Sequence, residues 1–269
     1  MTAHTGVVQL SKHHGLGNDF LVLLDPEGTS PIEPAQARAL CDRRTGVGAD
    51  GLLWAGPGTG SADVTMVLLN ADGSRAEMSG NGIRCLAQEV AWSRGTDDVD
   101  LVVATDAGLR HVEVRPGGPH TVQVRVAMGA ITEADAPDLG LAAKDTLGAS
   151  VGNPHVVALY PDRASLDAAA DAFAMVDRNV EFVLPGPGDD ELTMRVVERG
   201  AGETQACGTG ACAAAWAAHR WGLVGERVTV HMPGGSAQVE LGDEVFLIGP
   251  AVHVADVTLP EDRGLIACP

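Results

Sequence analysis

Residues 68–85 read LLNADGSRAEMSGNGIRC, and residues 198–212 read ERGAGETQACGTGAC. Aligned on their G-x-G triplets, Ser79 and Gly80–Asn81–Gly82 fall on Cys207 and Gly208–Thr209–Gly210. Each triplet leads into small and apolar residues spaced for a helix, expected over 82–94 and 210–221. The first turn of a helix leaves its N–H groups without intrahelical partners, and the helix dipole puts partial positive charge there. Glycine lets a ligand come close, so each triplet reads as a seat for a carboxylate or phosphate. A thiol in that field is expected to have its pKa lowered. One such loop alone is equally an ordinary capped helix start; two copies in one chain favour function.

Working outward, the repeat extends beyond the loops. Strands are expected at 9–12, 20–24, 64–69, 101–104, 111–114 and 122–127, with helices at 34–43 and 82–94. The second half offers strands at 155–159, 180–184, 192–198, 227–231, 237–241 and 244–248, with helices at 166–173 and 210–221. Several strands alternate polar and apolar residues, as TVQVRVAM (121–128) does, which suits antiparallel sheets with one wet face. Strict βαβ alternation is missing. The fold class is therefore α+β, with two pseudo-symmetric domains that meet near residues 126–130.

The 269 residues carry a formal charge of −18, from 36 acidic and 18 basic residues. Such a surface repels a polyphosphate, and no Lys/Arg stripe offsets it, so nucleic acid is not an expected partner. No run of about 18 apolar residues occurs, so no membrane span is expected. The first residues lack a signal-like apolar core. Five scattered cysteines (Cys41, Cys85, Cys207, Cys212, Cys268) read as free thiols of a reducing cytoplasm.

Two other chemistries can be weighed. GVGADG (46–51) and GTGACA (208–213) fit dinucleotide fingerprints, but neither has the strand–turn–helix context that such a site needs. Cys207, Cys212 and His219 lack zinc spacing and a second ligand pair. No metal and no cofactor are expected. His13 and His14 read as surface residues.

The segments HGLGNDF (14–20), RRTGVGADG (43–51), NADGSRAEMSGNGIRC (70–85), GNPH (152–155), RNVEF (178–182), ERGAGETQACGTGAC (198–212) and HMPGG (231–235) together resemble the diaminopimelate epimerase family. The resemblance implies two domains of one type, 1–126 and 127–253, each a small, mostly antiparallel barrel-like sheet around a central helix, with the active site in the cleft between them and a last strand, about 254–269, returning to the first. It implies cofactor-independent interconversion of LL- and meso-diaminopimelate by two-base proton transfer, in cytoplasmic lysine biosynthesis. A homodimer is consistent with it.

Of the family's two catalytic cysteines, Cys207 matches one and Ser79 stands at the other position. Cys85, six residues on, should face elsewhere. A hydroxyl ionises far less readily than a thiol, so the resemblance implies impaired epimerisation. It assigns the substrate's near carboxylate to the N–H groups of Gly80–Asn81 and Gly208–Thr209. It assigns the far end to Asn18, Asn70, Asn153, Asn179, Glu198 and Arg199, with His155 and Glu198 beside the reactive groups. Gly51 stands where the family often has glutamine. The alternatives are a proline racemase-like or hydroxyproline epimerase-like enzyme, or a non-catalytic amino-acid-binding relative.

Overall fold

The computed structural model describes residues 7–174, 177–199 and 201–260. Its chain divides into two compact units, the described residues of Met1–Val124 with Pro250–Pro269, and Arg125–Gly249.

In the first unit, β1 (Val7–Gly15) turns into β2 (Asn18–Leu24), and α1 (Pro34–Cys41) leads to β3 (Gly51–Pro57). Next come β4 (Val64–Asn70), the short β5 (Arg75–Ala76), α2 (Gly80–Ser93), β6 (Val99–Thr105), β7 (Gly108–Gly118) and β8 (Thr121–Gly129). The second unit repeats this order after β9 (Thr132–Ala134), with β10 (Asp145–Ser150), β11 (Pro154–Leu159), α3 (Arg163–Ala172) and β12 (Asn179–Pro185). It continues with β13 (Glu191–Glu198), β14 (Gly202–Thr204), α4 (Gly208–Arg220), β15 (Arg227–Met232), β16 (Gly235–Glu240) and β17 (Val245–Pro260).

The pairings match strand for strand. In unit one β2 runs parallel to β3 and β4 to β6, while β1/β2, β3/β4 and β6/β7 are antiparallel. In unit two the parallel pairs are β11/β12 and β13/β15, and the antiparallel ones include β10/β11, β12/β13 and β15/β16. Strand β17 closes on β16 in unit two and on β1 in unit one. Each unit is thus a mostly antiparallel, barrel-like sheet, and the fold class is α+β as expected.

A single helix fills each sheet. Helix α2 packs on β1, β2, β3, β4 and β7, burying Ile83, Cys85, Leu86, Ala87, Val90 and Ala91. Helix α4 packs on β10, β11, β12, β13, β15 and β16. Its Ala211, Ala213, Ala214, Ala215, Ala217 and Ala218 are all inaccessible, because alanine makes a helix narrow enough for strands to approach on every side. A helix buried all round has no freedom to slide, so its N-terminus is fixed relative to the strands.

Two expectations are corrected here. Strand β3 was not anticipated: its residues GLLWAGP lack alternation because a parallel strand buried on both faces reads as a continuous apolar run. It follows GVGADG directly, so that segment opens a strand and not the helix a dinucleotide site requires. His13 is fully buried, not superficial. Its Nδ1 faces Gln88 Oε1 at 2.9 Å, and its Nε2 faces Ser11 Oγ at 2.8 Å and Glu89 Oε2 at 3.2 Å. The unit crossings, at 124/125 and 249/250, fall within β8 and β17. Residues 261–269 lie outside the described residues.

Asp25, at the end of β2, gathers the turn that follows. One carboxylate oxygen accepts from Thr29 N at 3.0 Å, and the other from Ser30 N at 2.7 Å and Trp54 Nε1 at 2.9 Å. Burial pushes its carboxyl up, but these bonds outweigh it and hold the pKa below the usual range. A depressed native pKa contributes stability above the unfolded-state pKa and loses it as pH falls through the native one. Asp25→Asn turns an amide N–H towards donors and is expected to cost about 1–3 kcal/mol at neutral pH. That deficit should shrink in acid; an equal loss by denaturant titration at pH 3 and pH 7 would contradict it.

Candidate active site

Ser79 and Cys207 occupy the same place in their units. Each is the N-cap of its central helix, Ser79 with φ −139° and ψ 121° and Cys207 with φ −124° and ψ 116°. Ser79 Oγ accepts from Gly82 N at 3.0 Å, and Cys207 Sγ accepts from Gly210 N at 3.3 Å. The second glycine of each triplet follows from this contact. A Cβ on Gly82 would sit 3.3 Å from Ser79 Oγ, and one on Gly210 would sit 3.3 Å from Cys207 Sγ. A side chain there would crowd the capping atom.

At the mouth of α2, the amides form a chain. Asn18 Oδ1 accepts from Asn81 Nδ2 at 3.0 Å, and Asn81 Oδ1 accepts from Arg84 Nη2 at 2.8 Å. Arg84, itself buried, also donates through Nε to the Pro250 carbonyl at 3.2 Å. Asn18 Nδ2 donates to Asp50 Oδ2 at 2.8 Å, and Asp50 is held by Arg43. Asn70 is used differently. It closes the turn after β4, with Nδ2 on Ser74 Oγ at 2.9 Å and its backbone bonded to Ser74 and Gly73. Gly51 is hemmed in, since a Cβ there would lie 2.9 Å from the Leu69 carbonyl.

At the mouth of α4, Thr209 Oγ1 lies 3.4 Å from Cys207 Sγ, and Asn153 Nδ2 donates to Thr209 Oγ1 at 3.5 Å. His155 Nε2 faces Asn153 Oδ1 at 2.9 Å, and its Nδ1 faces Glu181 Oε1 at 2.6 Å. Glu198, at the end of β13, accepts from Thr204 and lies against the Cys207 thiol. Asn179 Oδ1 accepts from the backbone N–H of Arg199 at 2.9 Å, while the Arg199 side chain is exposed. The structure thus brings Asn18 to Asn81, and gathers Asn153, His155, Glu198, Cys207 and Thr209. Cys85 is buried in the core, where desolvation drives its thiol up to about 12, so it supplies no second acid–base group.

The lowered thiol pKa expected at Cys207 is overturned. Burial raises it well above the free thiol, and the negative charges of Glu198 and Glu181 add to the rise. The Thr209 hydroxyl and the Gly210 N–H oppose this without prevailing. A helix terminus contributes only a partial charge, whereas desolvation and two carboxylates act on a fully enclosed sulfur. Glu198 is itself pushed up by burial, against the bonds from Thr204 and Cys207. A thiol and a carboxylate, each made harder to ionise by burial, therefore lie side by side in one enclosed place.

Sequence reasoning missed Glu181, Thr204, Asp50 and Arg84. The signal for Glu181 was present: a carboxylate inside the apolar strand NVEFV is costly unless partnered.

The diaminopimelate epimerase model matches residues 10–133 and 148–254. The chain belongs to the diaminopimelate epimerase family. It is 39% identical over 275 residues to diaminopimelate epimerase of Synechocystis sp., covering 92% of this chain and 97% of that one. It is 38% identical to the enzyme of Corynebacterium glutamicum, covering 92% and 96%. Among solved structures, a hydroxyproline epimerase from Agrobacterium vitis with bound trans-4-hydroxy-L-proline superposes with a TM-score of 0.65 at 16% identity, over 97% and 94% of the two chains. A phenazine biosynthesis protein from Bacillus anthracis gives 0.71 at 14%, over 94% and 99%. These last two show a shared fold. Among the described residues no helix is long and apolar enough to cross a membrane, and no cluster of His, Cys, Asp or Glu is arranged to hold a metal ion.

Because the resting thiol is protonated, alkylation of Cys207 by iodoacetamide should be slow at pH 7. It should rise steadily to pH 10, by about tenfold per unit. A fast rate that is flat between pH 7 and 8, read at the Cys207 peptide by mass spectrometry, would mean a preformed thiolate.

Proposed function

We propose that the chain interconverts LL- and meso-diaminopimelate by proton transfer at the α-carbon, with Cys207 as one acid–base group and Ser79 in the position of the other. The supporting observation is that Ser79 Oγ and Cys207 Sγ cap equivalent helices in equivalent conformations, each bonded to the third residue's N–H. Each mouth offers a carboxylate seat of its own, the N–H groups of Gly80–Asn81 in one unit and those of Gly208–Thr209 in the other, as helix N-termini favour. Asn18, Asn70, Asn153, Asn179, Glu198 and Arg199 serve the far amino-acid group, Arg199 by bidentate bonding to its carboxylate.

Charge bookkeeping sets the direction of the proton. The Cys207 thiol passes its proton to the adjacent Glu198 carboxylate, leaving a thiolate beside a neutral acid, so the net charge of the enclosed site is unchanged. The thiolate, held by the Thr209 hydroxyl and Gly210 N–H, takes the α-proton; in reverse the thiol returns it. Reprotonation from the opposite face falls to Ser79, whose pKa lies far from the operating pH. Epimerisation is impaired while α-hydrogen exchange on the Cys207 side persists. The acid–base groups are all side chains of the chain, so the reading calls on no cofactor; with it come cytoplasmic lysine biosynthesis and a homodimeric assembly.

A capture-only protein is the second reading, and Ser79 is the observation in its favour. Ser79→Cys decides between them. Interconversion should rise by 100-fold or more, the usual worth of a positioned acid–base group, and Ser79→Ala should change little. No gain in Ser79→Cys would overturn the proposal. So would rapid two-way epimerisation by the native chain that Ser79→Ala abolishes.

A further inference from the structure

Glu181 has no part in the reaction just described, yet its placement is costly. Its side chain is fully buried on β12, and Oε2 has no hydrogen-bond partner. Oε1 lies 2.6 Å from His155 Nδ1. It also lies 2.6 Å from where a Cβ on Gly210 would project, so the carboxylate sits beneath the first turn of α4. An enclosed carboxylate with an unpartnered oxygen is retained against its desolvation cost only where it holds something in place.

A carboxylate only accepts, so Nδ1 of His155 carries a proton and the ring is locked by a short charge-assisted bond. The ring's other nitrogen fixes the Asn153 amide, whose Nδ2 meets the Thr209 hydroxyl, which meets Cys207 Sγ. Every member lies in the same unit, and four of them, Glu181, His155, Thr209 and Cys207, are buried. Glu181 stands in the place of an outer partner, which orients a reactive group without itself touching the substrate.

We propose that Glu181 is a positioning residue for Cys207: its carboxylate locks His155 and, through Asn153 and Thr209, aims the thiol. The inference rests on Cys207 acting as an acid–base group. Glu181→Gln keeps the shape and removes the charge, and Thr209→Val cuts the chain at its other end while leaving the buried carboxylate in place.

The full chain, labelled with nitrogen-15 histidine, should show a far-downfield Nδ1 proton for His155. That signal should move upfield in Glu181→Gln and stay put in Thr209→Val. In α-hydrogen exchange of diaminopimelate, each variant should lose about tenfold or more in kcat with KM within threefold. The double variant should be no worse than the poorer single one, since groups acting as a unit are non-additive. Absence of the downfield proton in the native chain, or losses that multiply in the double variant, would overturn the inference. A native chain that exchanges no α-hydrogen would defeat the epimerase reading instead, and the ring spectrum with its response to Glu181→Gln would still decide the chain of bonds. Should Glu181→Gln fail to fold, Thr209→Val carries the test, with a tenfold loss and an unmoved histidine signal expected; undiminished exchange would overturn it.

Discussion

The structure is organised by the first turns of α2 and α4, whose leading N–H groups have no acceptor within the helix. Each helix is sheathed by strands, so water cannot reach most of it, and its leading N–H groups need a partner at the mouth. The N-cap side chain takes the third residue's N–H, with Gly82 and Gly210 packed close against it. Small residues along α4 and the parallel–antiparallel strand order serve to hold that mouth still.

The two mouths differ in how they are charged. At the mouth of α2 two amides lie between a carboxylate and a guanidinium, in the run Asp50–Asn18–Asn81–Arg84. Around Cys207 the neighbouring groups include two carboxylates, Glu181 and Glu198, that set themselves against ionisation of the sulfur. The field of a helix terminus is thus outweighed locally, and the thiol is held towards its protonated form.

Much of this was legible in the sequence. The paired G-x-G triplets gave the two helix starts, and alternation in TVQVRVAM marked a strand with one wet face. The motif segments identified the family over nearly the whole chain. What escaped has specific causes. Strand β3 was hidden because burial on both faces removes alternation. His13 reads as a polar residue near a turn, and only the packing of Gln88 and Glu89 against it makes it a core residue. The raised thiol pKa depends on Glu181 and Glu198, residues 26 and 9 positions upstream of Cys207, which no local rule brings together.

The account stands on a chain with a working proton-transfer group at one helix mouth and a crippled one at the other. The most direct measurement is deuterium uptake from heavy water into LL- and meso-diaminopimelate, each offered separately and followed by mass and by stereochemistry. One isomer should exchange its α-hydrogen with little inversion, while the other should stay almost unlabelled. Equal uptake from both isomers, or none from either, would contradict it.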